Sequence, residues 1–155
     1  MNTGIRPNEL FNLRRCHISL KNKIIYVAES KNGDSGYIKM KPIVALICWK
    51  HLPASREALL SHKENGETFT QAGSPFWRAV KLCRFNEDIT DPLYKVIFYT
   101  LRHTFASWLV MQGVPLYRVR KMLGHKTTIM TQRYAHLSPD YMNSIDNLPD
   151  FDIKI

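Results

Sequence analysis

The chain has 155 residues, enough for one domain with a substantial core. Its 45% hydrophobic and 11% aromatic content excludes a disordered chain, and its longest strictly apolar run, Ile43 to Trp49, is too short to span a membrane. The net charge is +9, and the acids Asp140, Asp146, Asp150 and Asp152 near the end leave residues 1–139 at +12, which favours a polyanionic partner.

In chain order, Thr3 to Leu13 reads as a turn followed by a short helix, with Glu9, Leu10 and Leu13 at helical spacing. Ile18 to Ser30 contains the β-branched run KIIYVAE and reads as a strand. Lys31-Asn32-Gly33 is a turn signal, and Tyr37 to Met40 is the returning strand. Pro42 to His51 predicts a buried helix opened by proline. Residues 53–73 predict a loop with a helical piece near Ser55 to His62. Ser74, as N-cap before Pro75, predicts a helix to Phe85, and Asn86 to Pro92 an acidic loop. Leu101, Phe105, Trp108, Leu109 and Gln112 mark the inner stripe of a helix ending at Gly113. Pro115 opens the next, with Val119 and Met122 or Leu123 facing inward, and Gly124 stops it. Thr127 caps a helix to about His136, and a last short helix spans Pro139 to Asn147.

Cys16, Cys48 and Cys83 are odd in number and lack CxxC spacing, which argues against a disulfide framework or a zinc site. The opening residues also lack a signal-peptide pattern, so a reducing cytoplasm is the expected compartment. No GxGxxG or GxxxxGK[ST] occurs, and no His, Asp or Glu cluster has metal-ligand spacing, so neither cofactor nor metal is expected.

The stretch YTLRHTFASWLVMQGVPLYRVRKMLGHKTTIMTQRYAH, Tyr99 to His136, places Arg102 at a helix start, His125 after a glycine stop and Tyr134 nine residues later. A cation for phosphate oxygens, an imidazole and a hydroxyl are what a metal-free attack on a phosphodiester needs. Read singly, each has an ordinary role. Arg102 is a surface arginine, Arg6 a partner for Glu9 one turn on, and Lys31 a solvated turn residue. His125 is a helix-end cap, and Tyr134 a half-buried residue sharing a face with Met130. The helix pair around Gly113 to Pro115 also suits a helix-turn-helix.

Taken together, the stretch closely resembles the C-terminal half of the tyrosine recombinase (phage integrase) catalytic domain. The segment TGIRPNELFNLR, Thr3 to Arg14, resembles the part that carries that family's first active-site arginine. The resemblance runs from about Thr3 to Leu137 and implies a mixed α/β, predominantly helical domain with a small antiparallel β-hairpin. Residues 1–139 would form the catalytic domain, begun partway in and without a preceding DNA-clamping domain, and residues 140–155 a C-terminal helix and tail. It implies double-stranded DNA as substrate, other protomers as partners, nucleoid association, and no membrane or small-molecule substrate. Tyr134 would form a 3′-phosphotyrosyl link, while Arg6, supported by Glu9, and Arg102 would neutralise the phosphate. Lys31 would protonate the leaving 5′ oxygen, with Lys39 and Lys41 as lesser candidates, and His125 would hydrogen-bond the phosphate. Tyr99 stands where the family usually has histidine, and a phenol can donate a hydrogen bond but carries no positive charge. His103 points about 100° around the helix from Arg102 and is not an obvious substitute. Arg14, Arg15, Arg118, Arg120, Lys121 and Lys126 would meet backbone phosphates. Two other readings stay open: a DNA-binding integrase remnant without chemistry, and a protein-interaction domain of the same fold.

Overall fold

The computed structural model describes residues 2–27 and 36–139. They divide into two compact units, residues 1–105 and 106–155, with the division falling inside one helix. The first unit opens on a left-handed Gly4 (φ 63°) that turns the chain into helix α1, Pro7–Phe11. Pro7 presets the first helical φ, and Glu9 accepts the N–H of Arg6 at 3.0 Å, satisfying a donor the helix itself leaves orphaned.

Three short strands follow as an antiparallel meander: β1 (Ile18–Ser19), β2 (Ile24–Val27) and β3 (Gly36–Lys39). Ile18 pairs with Ile25, and Ile25 with Ile38, so one face of the sheet is continuous and apolar. The single strand expected over Ile18 to Ser30 is therefore two. Lys23, at φ 53°, turns the chain between them, and its N–H donates to the Leu20 carbonyl at 3.2 Å. The Lys31-Asn32-Gly33 tip lies outside the described residues.

Helix α2 (Pro42–Lys50) begins at its proline, as expected, but is not a buried helix. Cys48 packs with Leu13, Ile25 and Met40, and Val44 and Ala45 line that cluster. Ile43, Leu46, Ile47 and Trp49 remain about half exposed or more. A helix apolar on every side can offer only one face to one sheet. The helical piece expected near Ser55 to His62 is also absent. That segment pairs its backbone with residues 13–16 instead, through Leu60 N–H to Leu13 O (2.7 Å), Arg15 N–H to Ala58 O (3.0 Å) and Cys16 N–H to Arg56 O (2.9 Å).

Helix α3 (Ser74–Leu82) is capped by Gly73 rather than Ser74 and stops three residues before Phe85. Arg84 adopts φ 56°, and the N–H groups of Arg84 and Phe85 close onto Lys81 O and Val80 O. No glycine marks this stop. Phe11, Phe76 and Phe98 form a further aromatic cluster, with ring centroids 5.6 and 5.2 Å apart.

Helix α4 (Thr100–Met111) carries the unit division between Phe105 and Ala106. Of the expected stripe Phe105 is buried, but the other buried positions are Arg102, Ala106 and Val110 rather than Leu101 and Leu109, and Trp108 is half exposed.

The second unit continues with α5 (Leu116–Leu123), which buries Val119 and Leu123 and leaves Met122 outside. Gly124 (φ 61°) ends it with a paired closure, Gly124 N–H to Lys121 O and His125 N–H to Arg120 O. The expected Thr127–His136 helix shrinks to α6 (Ile129–Gln132), preceded by Thr128. After α6 the backbone tightens: Tyr134 N–H bonds to Thr131 O at 3.0 Å, and a 3₁₀ turn spans Ala135–Leu137. The expected helix over Pro139 to Asn147 and the tail lie outside the described residues, beyond 139. Among the described residues, no helix is long and apolar enough to cross a membrane.

Candidate active site

In the first unit the structure brings together two arginines far apart in sequence. The side chain of Arg6 forms an ion pair with Glu9 (2.6 Å), and Glu9 also holds the Arg6 backbone N–H. Arg102 lies in the first turn of α4, is only 4% exposed, and donates from Nη1 to the Gly4 carbonyl at 2.5 Å. A cation near a helix N-terminus costs about 0.3–1 kcal/mol, whereas a hydrogen bond to a charged group contributes about 1.5–3 kcal/mol. The contact to Gly4 therefore outweighs the dipole, and it fastens Arg102 to the turn that carries Arg6. The surface role considered for Arg102 is corrected by its burial.

Tyr99 immediately precedes α4, and its ring meets the edge of His103 at 4.9 Å, one turn on. His103 thus neighbours the position where the resemblance expected a histidine. Lys31 lies outside the described residues; Lys39 ends β3, and Lys41 precedes α2.

In the second unit His125 is 8% exposed and follows the α5 stop. Its Nδ1 lies 2.9 Å from the hydroxyl of Thr131, which is fully buried. A hydroxyl both donates and accepts, so it satisfies Nδ1 in either protonation state of the ring. Thr131 was missed in the sequence; its only signal was its place six residues after His125, one turn before Tyr134. Tyr134 is 6% exposed, more buried than the half-buried reading supposed. It lies beyond α6 and so shares no helix face with Met130.

The expected phosphate contacts fall into two groups. Arg118, Lys121 and Lys126 are exposed, with the Lys121 ammonium 5.8 Å from the Tyr117 ring centre. Arg15 is partly buried, Arg14 donates to the Glu57 carbonyl, and Arg120 donates to the carbonyls of His125 and Lys126. The large groove of the first unit is lined by Phe11, Phe69, Phe76 and Phe98 and by none of these arginines. Among the described residues, no group of His, Cys, Asp and Glu could hold a metal ion.

This predominantly helical α/β fold with a small antiparallel sheet is shared with solved recombinase structures. It matches the Tn1549 transposon integrase in complex with circular intermediate DNA (TM-score 0.72, 22% identity) over 94% of this chain and 56% of that one. It matches the catalytic domain of bacteriophage HP1 integrase (TM-score 0.63, 24% identity) over 99% of this chain and 80% of that one. Residues 1–140 match the Phage integrase family, and the chain belongs to it. The chain is 30% identical over 140 residues to tyrosine recombinase XerA of Saccharolobus solfataricus, covering 90% of this chain and 44% of that protein. With tyrosine recombinase XerD of Shewanella oneidensis it is 29% identical over 142 residues, covering 88% and 46%. The chain thus spans less than half the length of these curated relatives.

Proposed function

We propose that the chain cleaves and rejoins double-stranded DNA in site-specific recombination, through a 3′-phosphotyrosyl intermediate on Tyr134. The observation that carries this reading is the anchoring of buried Arg102 to Gly4, in the turn that bears Arg6. Two preorganised guanidinium groups suit the charge that develops on the non-bridging oxygens of a phosphodiester under attack. In phosphoryl transfer an arginine of this kind is worth about 10³–10⁵ in rate. Tyr134 supplies the hydroxyl, and His125, its Nδ1 fixed by Thr131, offers Nε2 to the phosphate or to the tyrosine proton. Because the phosphotyrosyl link keeps the energy of the broken bond, rejoining needs neither metal nor ATP. Lys31 serves as the acid for the 5′ oxygen, and Tyr99 donates one hydrogen bond to the phosphate. Arg118, Lys121 and Lys126 meet backbone phosphates, and further protomers complete a synapse. The DNA-bound Tn1549 integrase, which shares the fold, supports DNA as the substrate.

The test is covalent trapping on a library of nicked duplexes of random sequence, where the short 5′ product diffuses away. Wild-type protein should accumulate a DNA-linked species that Tyr134→Phe lacks, while both bind duplex equally. An adduct that persists in Tyr134→Phe, or that maps to another tyrosine, would remove the mechanism. Full binding with no adduct in the wild type would favour the DNA-binding remnant.

A further inference from the structure

We infer that Arg120 is a positioning residue that holds the His125 loop, rather than a contact to DNA phosphate. This rests on the role proposed above for His125. Residue 120 grips residue 125 twice. Its carbonyl accepts the His125 N–H at 3.0 Å, and its guanidinium Nε donates back to the His125 carbonyl at 3.1 Å. The same guanidinium donates from Nη2 to the Lys126 carbonyl at 2.6 Å.

Beyond the α5 stop the chain leaves the helix, and the carbonyls of residues 125 and 126 both accept from the Arg120 guanidinium. They also lie at the negative end of the helix dipole, where a cation is favoured. A planar fork can reach two successive carbonyls from one rigid group, which a lysine ammonium on a flexible stem does not reproduce. Arg120 thus holds the main chain of His125 while Thr131 holds its Nδ1. Burial agrees: Arg118 and Lys121 on the same helix are exposed, while Arg120 is partly covered.

Two substitutions separate this from a phosphate contact. Arg120→Lys keeps the charge but loses the fork; it should slow adduct formation on the random nicked library by ~10-fold or more, the scale of a lost charge-assisted hydrogen bond. Arg120→Gln should slow it similarly while leaving the salt dependence of duplex binding unchanged. A lost phosphate contact would instead lower that slope by about 1. In a His125→Ala background neither substitution should slow cleavage further. Wild-type cleavage by Arg120→Lys, a reduced salt slope for Arg120→Gln, or losses that add to His125→Ala would overturn the inference. So would a fall in melting temperature for Arg120→Lys as large as that of the core truncation Val119→Ala. Full cleavage by His125→Ala would overturn the proposed role of His125 itself, whereas its loss there with retention in Arg120→Lys would overturn the clamp alone.

Discussion

Replacing Thr131 by valine changes little volume while removing the hydroxyl that faces His125 Nδ1 at 2.9 Å. Thr131 is fully buried, so no bulk water stands ready to take the place of that hydroxyl. Removing one partner of a buried hydrogen bond costs about 1–3 kcal/mol. For a chain of this size that is a fall of roughly 3–9 °C in melting temperature. Thr131→Ser keeps the hydroxyl and loses a methyl, at about 0.5–1.5 kcal/mol by analogy with single-methyl core truncations. Stability alone therefore separates the two variants poorly, and cleavage decides. With the hydroxyl present the ring keeps its orientation, so Thr131→Ser should cleave within a few-fold of wild type. Thr131→Val removes that hydrogen bond and should cleave about ten-fold slower or worse, a barrier change of ~1.4 kcal/mol. Melting followed by circular dichroism, with adduct formation on the nicked library, measures both quantities. If Thr131→Val cleaves as fast as Thr131→Ser, the hydroxyl does not orient His125 and the reasoning fails.

Tyr99→Phe should slow cleavage by about one to two orders of magnitude, the scale of a hydrogen bond to a charged group, and Tyr99→His should keep or raise it. Wild-type rates for Tyr99→Phe would make the residue a packing partner of His103. A 5′-bridging sulfur leaves without protonation, so it should restore cleavage to Lys31→Ala but not to Arg102→Ala; equal rescue of both would move the acid to another residue. Burial pushes the Cys48 thiol up from its ordinary value, so iodoacetamide at pH 8 should label exposed Cys83 well before Cys48. Since the folded thiol holds its proton more tightly than the unfolded one, that contribution to stability is complete below about pH 8.5 and is lost as pH rises further. Equal labelling rates in the folded protein would show that Cys48 is not enclosed by Leu13, Ile25 and Met40.

The start of α2 at Pro42, the opening of α5 by Pro115 just before Leu116, and the stops at Gly113 and Gly124 were legible in the chain, because these residues act through their own backbone geometry. Arg6, Arg102, His125 and Tyr134 were singled out by their resemblance to a family motif, as residue types in order along the chain. What sequence could not decide were choices made by partners distant in the chain. Arg84 stops α3 without a glycine because the closing bonds onto Val80 and Lys81 hold it left-handed. Residues 55–62 read as helical but give their backbone bonds to residues 13–16, an alternative no local propensity reveals. Arg102 is buried with its guanidinium donating to the carbonyl of Gly4, 98 positions earlier, a partner that helical spacing does not reveal. Arg120 looked like one basic residue among several on α5; only the carbonyls that α5 leaves behind at its end distinguish it from Arg118 and Lys121. Charge and periodicity belong to the chain itself, but the partner of a charged group is settled by which carbonyls folding brings within reach.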